Sequence, residues 1–193
     1  MSAQGLERRA AMAMLMAGRS DDLLVVPGLG STTYDLAAAG DNNNNFYLWG
    51  AMGGAAMIGL GLALAQPERR VAVITGDGEM LMGLGSLATI GIKKPKNPAV
   101  IVFDFGVYGE TGMQASHTGS GADLLAVARA CGIHACMEVC DEADLEELAR
   151  RLEGLSETLF ARVVIRADEP PRVLPLRDGV ALKERFRAAI GVR

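Results

Sequence analysis

The chain has 193 residues, of which 50% are hydrophobic and 22% charged, enough for one well-buried domain and too apolar for a disordered segment. A net charge of −4 and a pI near 5.2 exclude the basic footprint of a nucleic-acid binder. Three cysteines (Cys131, Cys136, Cys140) cannot all pair within the chain, which argues against a disulfide framework.

In chain order, the pattern predicts a helix over Ala3–Ala17, then an apolar strand over Leu23–Val26. Pro27-Gly28-Leu29-Gly30-Ser31 reads as a turn, with Ser31 or Thr32 as cap of a following helix. Asn42 to Asn45 reads as a surface loop. From there 26 uncharged residues separate Asp41 from Glu68, long enough to raise a membrane span. The polar Asn run and Gly50, Gly53, Gly54, Gly59 and Gly61 favour a buried helix over Gly50–Gln66, packed closely on a sheet. Val71–Thr75 is a β-branched strand ended by Gly76-Asp77-Gly78, and Glu79–Ile92 a helix. After a basic turn at Lys93–Pro98 comes a buried strand, Val100–Phe103. A helix over Ala122–Ala130, a short strand within Ile133–Val139, an amphipathic helix over Asp141–Leu152 and a strand over Leu159–Ile165 follow. Pro170, Pro171 and Pro175 mark an extended segment before a last helix, Asp178–Ile190.

Alternating strands and helices, with strands apolar throughout, define an α/β fold: a doubly wound parallel sheet with helices on both faces. The expectation is one domain over 1–193, with 170–193 as a C-terminal extension and helix. No basic segment leads into an apolar run at the N-terminus, so a cytoplasmic protein without a signal peptide is the simplest reading. Ligands of such sheets bind at the carboxyl ends of the strands. Three of those ends carry unusual loops: Pro27–Ser31, Gly76–Gly78 and Asp104–Gln114.

At Gly76-Asp77-Gly78-Glu79 a strand ends and a helix begins. Loop and helix-start amides suit a phosphate, and a carboxylate among them requires a divalent cation in between. Asp77 is therefore a candidate Mg²⁺ ligand for a bound diphosphate. The plainer reading is a tight turn in which Asp77 caps the helix. The next loop, Asp104-Phe105-Gly106-Val107-Tyr108-Gly109-Glu110-Thr111-Gly112-Met113-Gln114, starts one helix and one strand later, with Phe105 28 positions beyond Asp77.

This pair of loops resembles the cofactor motif of thiamine-diphosphate enzymes. With Leu81–Gly91 and Tyr108…Thr111-Gly112-Met113-Gln114, the resemblance narrows to the 2-oxo acid decarboxylases of the sulfopyruvate (small subunit) and phosphonopyruvate type, over roughly Leu23–Ile165. It implies thiamine diphosphate and Mg²⁺ as cofactors, with the Asp77 side chain and the Val107 carbonyl as metal ligands. Trp49-Gly50-Ala51-Met52-Gly53 matches the segment that grips the aminopyrimidine ring. There the Gly50 carbonyl would accept from the ring amine, the Met52 amide would donate to a ring nitrogen, and the Met52 side chain would bend the cofactor. As a plain core methionine, Met52 has a commoner explanation. Gly28–Ser31 matches a first turn touching the diphosphate, though Ser31 as a mere helix cap weighs equally. Gly76, Gly78, Glu79, Tyr108 and Gly109 complete the cofactor-binding set. Met52, Glu110 and His117 are the catalytic candidates; Thr111 and Gln114 face substrate in the same reading, and a solvated loop histidine is the alternative for His117.

One departure stands out. The family carries Asn, a metal ligand, where this chain has Phe105, which offers no oxygen. Asp104, Glu79 or water would have to supply it, or the site is weakened. Glu79 is itself unfavourable near phosphates unless it faces metal or solvent. A second absence concerns the assembly. The family's ring-protonating glutamate belongs to a pyrimidine-binding domain that 193 residues cannot also hold, so a separate large subunit is the expected partner. The isolated chain would be inactive or nearly so. An apolar surface over Met52–Met57 would favour an oligomer. The resemblance implies decarboxylation of a small anionic 2-oxo acid. Carboligation or aldehyde conversion, a non-catalytic or degenerate subunit with weakened cofactor binding, and a flavodoxin-like nucleotide binder are the competing readings. The C-x4-C-x3-C spacing around His134 fits no common zinc pattern.

Overall fold

Five strands form the centre of the molecule, and the three that run over residues 24–27, 71–76 and 98–104 are apolar for nearly all their length. The structure is a computed structural model and describes residues 5–192. The strands β1 (Leu24–Pro27), β2 (Val71–Gly76), β3 (Pro98–Asp104), β6 (Ala135–Val139) and β7 (Leu159–Val164) form one parallel sheet in the order β1-β2-β3-β7-β6. Every residue of β1 and β3 is buried, as expected of a sheet covered on both faces. The alternation of β3 divides the core. Ala99, Ile101 and Phe103 pack with α1 (Arg8–Met16), α2 (Ser31–Ala39) and α7 (Glu142–Glu153) through Met12, Leu36 and Leu148. Val100 and Val102 pack on the opposite face with α3 (Ala55–Ala65), α4 (Asp77–Met82), α5 (Ser86–Lys93) and α6 (Leu124–Ala130) through Leu60, Met80, Leu87 and Leu124. The close approach of α3 to the sheet depends on Gly59, where a Cβ would stand 2.1 Å from Val73 Cγ2.

The expected strands and helices are present, with instructive differences. The first helix begins at Arg8 rather than Ala3, and residues 3 and 4 lie outside the described residues. The uncharged helix begins at Ala55, not Gly50, because Ala51 (φ 63°) and Gly53 (φ 86°) adopt left-handed backbone that a helix cannot include. The helix expected over Glu79–Ile92 is two helices, α4 and α5, separated at Gly83-Leu84-Gly85. Neither Ser31 nor Thr32 caps α2. Its N-cap is Gly30, and the Thr32 and Thr33 hydroxyls donate instead to the Gly28 carbonyl (3.2 and 2.7 Å). Asp77 does not cap α4 either; the N-cap is Gly76. The Asn run is more than a surface loop. It bridges to β1 through Val25, and Asn45 is fully buried, accepting from Arg19 (2.6 Å) and donating to the Tyr47 hydroxyl (3.0 Å). The loop after β3 contains an unexpected hairpin, β4 (Val107–Tyr108) with β5 (Gln114–Ala115).

After β7 the chain runs without regular structure to α8 (Gly179–Ala189), strapped across the strands' carboxyl ends. Arg9 donates to the Pro171 carbonyl (2.7 Å), Arg172 pairs with Glu110 (3.0 Å), and the Trp49 indole donates to the Leu176 carbonyl (3.0 Å). Among the described residues no helix is long and apolar enough to cross a membrane.

Candidate active site

The parallel strands bring three loops to one edge: Gly28–Ser31 after β1, Asp77–Glu79 after β2, and Phe105–Gln114 after β3. Asp77 opens α4 and is 1% exposed. Its Oδ1 accepts from the Phe105 amide (3.3 Å), and its Oδ2 accepts from Ser116 and lies 2.9 Å from the Thr118 hydroxyl. That hydroxyl is also 2.7 Å from Asp104 Oδ1, and having one proton it serves only one of the two carboxylates. Asp104 is neutralised by Arg162 (2.6 Å). Asp77 has no basic partner within ion-pair distance among the described residues. Burial pushes its carboxyl above the ordinary range and the Asp104 charge adds to this, while the Ser116 and Thr118 hydroxyls pull it partly back.

The Asp77 carboxylate lies beside Asp104, whose guanidinium partner Arg162 is shared with Glu138, so the negative charge on Asp77 has no cationic partner among the described residues, which is costly. The residues therefore fit a divalent cation. The second candidate ligand to it, the Val107 carbonyl, is left free by the hairpin. The Ser116 amide donates to the Gly106 carbonyl (2.9 Å), so 106 and 116 form the bonded pair of the hairpin, and the Val107 carbonyl turns away from β5. Phe105 does not fit a ligand's role. Its ring continues the β3 face that packs toward α1, with the Arg8 guanidinium 5.5 Å from its centroid. It lines a cleft of about 280 Å³ with Arg8, Ser31, Glu110 and Arg172. The replacements expected from the sequence are both committed elsewhere. Asp104 holds Arg162 and the Gly106 amide (2.9 Å), and Glu79 holds the Leu29 and Gly53 amides (2.8 and 3.3 Å). The oxygens nearest Asp77 are instead Ser116 and Thr118, which the sequence reading passed over. The only signal was two hydroxyl residues flanking His117.

The remaining candidates divide. Tyr108 lies over Gly78, where a Cβ would stand 2.8 Å from its ring, and its hydroxyl is 2.9 Å from His117 Nδ1, which draws His117 into the same cluster. Glu110 lies against Gly30 and is held by Arg172. Gly50 and Met52 stand exposed in the turn before α3, and their carbonyl and amide take no part in the loop hydrogen bonds among the described residues. Gly76 has open space where a Cβ would be, and Gly109 is exposed beside Glu110. Gln114 and Thr111 bond to each other (3.1 Å) at the exposed tip of the hairpin.

Three loops at the carboxyl edge of a parallel sheet, with a buried aspartate among them, are the arrangement expected of a thiamine-diphosphate-binding domain, and comparison with known proteins agrees. Residues 29–163 match the family described as thiamine pyrophosphate enzyme, C-terminal TPP binding domain. The chain belongs to this family. It is 36% identical to the sulfopyruvate decarboxylase subunit beta of Methanocaldococcus jannaschii, over 86% of this chain and 88% of that one. It is 43% identical to the phosphonopyruvate decarboxylase of Streptomyces viridochromogenes, over 76% of this chain but 37% of the relative. In fold it resembles the thiamine diphosphate-dependent 4-hydroxybenzoylformate decarboxylase of Rhodococcus jostii (TM-score 0.72, 20% identity), covering 88% of this chain and 34% of that one. The chain thus spans most of a beta subunit, about two-fifths of the single-chain relative and a third of the structural one.

Proposed function

We propose that this chain is the thiamine-diphosphate-binding subunit of a decarboxylase for a small anionic 2-oxo acid of the sulfopyruvate or phosphonopyruvate type, working with Mg²⁺ and completed by a separate pyrimidine-binding subunit. The observation that carries the reading is the buried Asp77 carboxylate, which has no basic partner among the described residues and lies at the carboxyl edge of the sheet. Asp77 and the Val107 carbonyl would hold the cation; Gly76 and Gly109 would leave room for the diphosphate, with Gly28, Ser31 and Gly78 in the loops around it; and the Gly50 carbonyl and Met52 amide would take the aminopyrimidine ring, with Met52 as the apolar prop. Bound thiamine diphosphate would supply the electron sink for loss of CO₂. The Tyr108–His117 pair would hold a proton at the substrate side, and Glu110 would stand at the mouth of the site.

The partner follows from surface chemistry as well as from the relatives named as beta subunits. Met52, Met57 and Leu64 are exposed on α3 and the turn before it, within a region without charge from Asn42 to Pro67, and Met82 is exposed at the end of α4. Apolar surface of this kind is normally covered. The alternative of a degenerate subunit rests on Phe105 alone, and the identity to decarboxylase subunits weighs against it. Calorimetric titration of the full chain with thiamine diphosphate and Mg²⁺, repeated with a candidate large subunit, is the test. Binding in either arm, lost in Asp77→Asn, is expected. No binding in both arms would refute the proposal.

A further inference from the structure

We infer that Glu79 is a positioning residue, a buried strut that ties the first turn to the Trp49–Gly53 segment and so sets the spacing between the two ends of the cofactor groove. The inference takes the identity of the ligand from the proposed function; the contacts stand without it. Glu79 is 4% exposed and lies in the first turn of α4. One carboxylate oxygen accepts from the Leu29 amide and the other from the Gly53 amide. These amides are 24 residues apart, and among the described residues no backbone hydrogen bond joins the two loops directly. No basic side chain lies within ion-pair distance of Glu79 among the described residues, so the two N–H dipoles are its compensation. Space for it is provided by Gly28, where a Cβ would stand 1.9 Å from Oε2.

The segment it holds needs holding from outside. Ala51 has a left-handed φ (63°) that a residue with a side chain adopts only at a cost, and such backbone persists only where neighbours determine it. The chemistry of position 79 is correspondingly narrow. Aspartate is one methylene short of spanning both amides. Glutamine keeps the length but turns an NH₂ toward one of the two N–H donors. The arrangement also explains how an acidic residue can follow Gly-Asp-Gly at a diphosphate site: its oxygens face loop amides, not phosphate.

The test is hydrogen exchange on the full chain, wild type against Glu79→Gln and Glu79→Asp, paired with thiamine diphosphate and Mg²⁺ titration followed through Trp49, the only tryptophan. We expect the Leu29 and Gly53 amides to exchange about tenfold faster or more in both variants, with β2 and β3 unchanged, and cofactor affinity to fall by a similar factor. In the wild type the two amides should open together as denaturant is raised, a measurement that needs no variant to fold. Unchanged protection, independent opening of the two amides, or an even loss across the sheet would overturn the inference. So would loosened loops with unchanged affinity. If the wild type binds no thiamine diphosphate either alone or with the candidate large subunit, the proposed function falls with the cofactor half of this inference, while the exchange data still decide whether Glu79 joins the loops.

Discussion

Replacing Asp77 by asparagine should raise the stability of the chain while removing its cofactor. Asp77 is buried, uncompensated and beside Asp104. Asparagine has the same shape, and the site can satisfy it: its carbonyl takes the Phe105 amide, and its NH₂ donates to the Ser116 or Thr118 oxygen, whose mutual contact is 2.8 Å. Relief of the buried charge is worth about 1–2 kcal/mol. For a chain of this length that is roughly 2–8 °C in Tm. Ligand acts in the opposite sense: at a hundredfold excess over Kd, thiamine diphosphate with Mg²⁺ should add about 2.7 kcal/mol to the wild type and nothing to Asp77→Asn. Thermal melts of both proteins with and without the two ligands make the comparison. A lower Tm for the apo variant, or a ligand-induced rise equal to that of the wild type, would refute the reasoning that Asp77 is held in a costly state for a cation.

Gly78→Ala should weaken thiamine diphosphate binding about tenfold or more, because the new methyl displaces the Tyr108 ring, and fluorescence titration would read it. Phe105→Asn should tighten Mg²⁺-dependent binding at a cost of about 1–2 kcal/mol in stability, since the half-buried ring loses its apolar packing; unchanged affinity would remove position 105 from the metal site. Arg8→Ala should cost about 3 kcal/mol in urea unfolding, because Arg8 is buried against Asp35, whereas Arg172→Ala on the exposed pair with Glu110 should cost less than about 1 kcal/mol. Arg70 and Ser20 hold the Asp22 carboxyl down at about 2, so its contribution is present above about pH 4 and lost as pH falls from there through 2. Asp22 is nearly half exposed, so Asp22→Asn should lose less than about 1 kcal/mol at pH 7, progressively less below about pH 4 and nothing well below about pH 2.

The sheet was legible in the sequence because parallel strands covered on both faces are written as continuous apolar runs, and Val71–Thr75 and Val100–Phe103 are such runs. The edge loops were legible because glycines and acidic residues interrupt those runs at their carboxyl ends. What escaped depends on contacts across the chain. The break between α4 and α5 is fixed where Gly83 meets Gly53, 30 residues earlier, at a distance that admits no side chain on Gly83. Asn45 belongs by composition to a solvated run, yet the parallel bridge to Val25 carries it inside, where Arg19 and Tyr47 satisfy it. Ser116 and Thr118 carry no spacing signal, because their partner is 39 and 41 residues away. Glu79 is the sharpest case. Read along the chain, its nearest neighbours are Asp77 and the phosphates expected there, and its charge looks misplaced. Read through space, its neighbours are two amides from loops 50 and 26 residues back, and the same charge becomes the feature that holds them. Sequence proximity ranks neighbours by chain distance, while the field at a buried carboxylate is set by whichever dipoles the fold places within 3 or so ångströms, and at position 79 the two orderings are opposite.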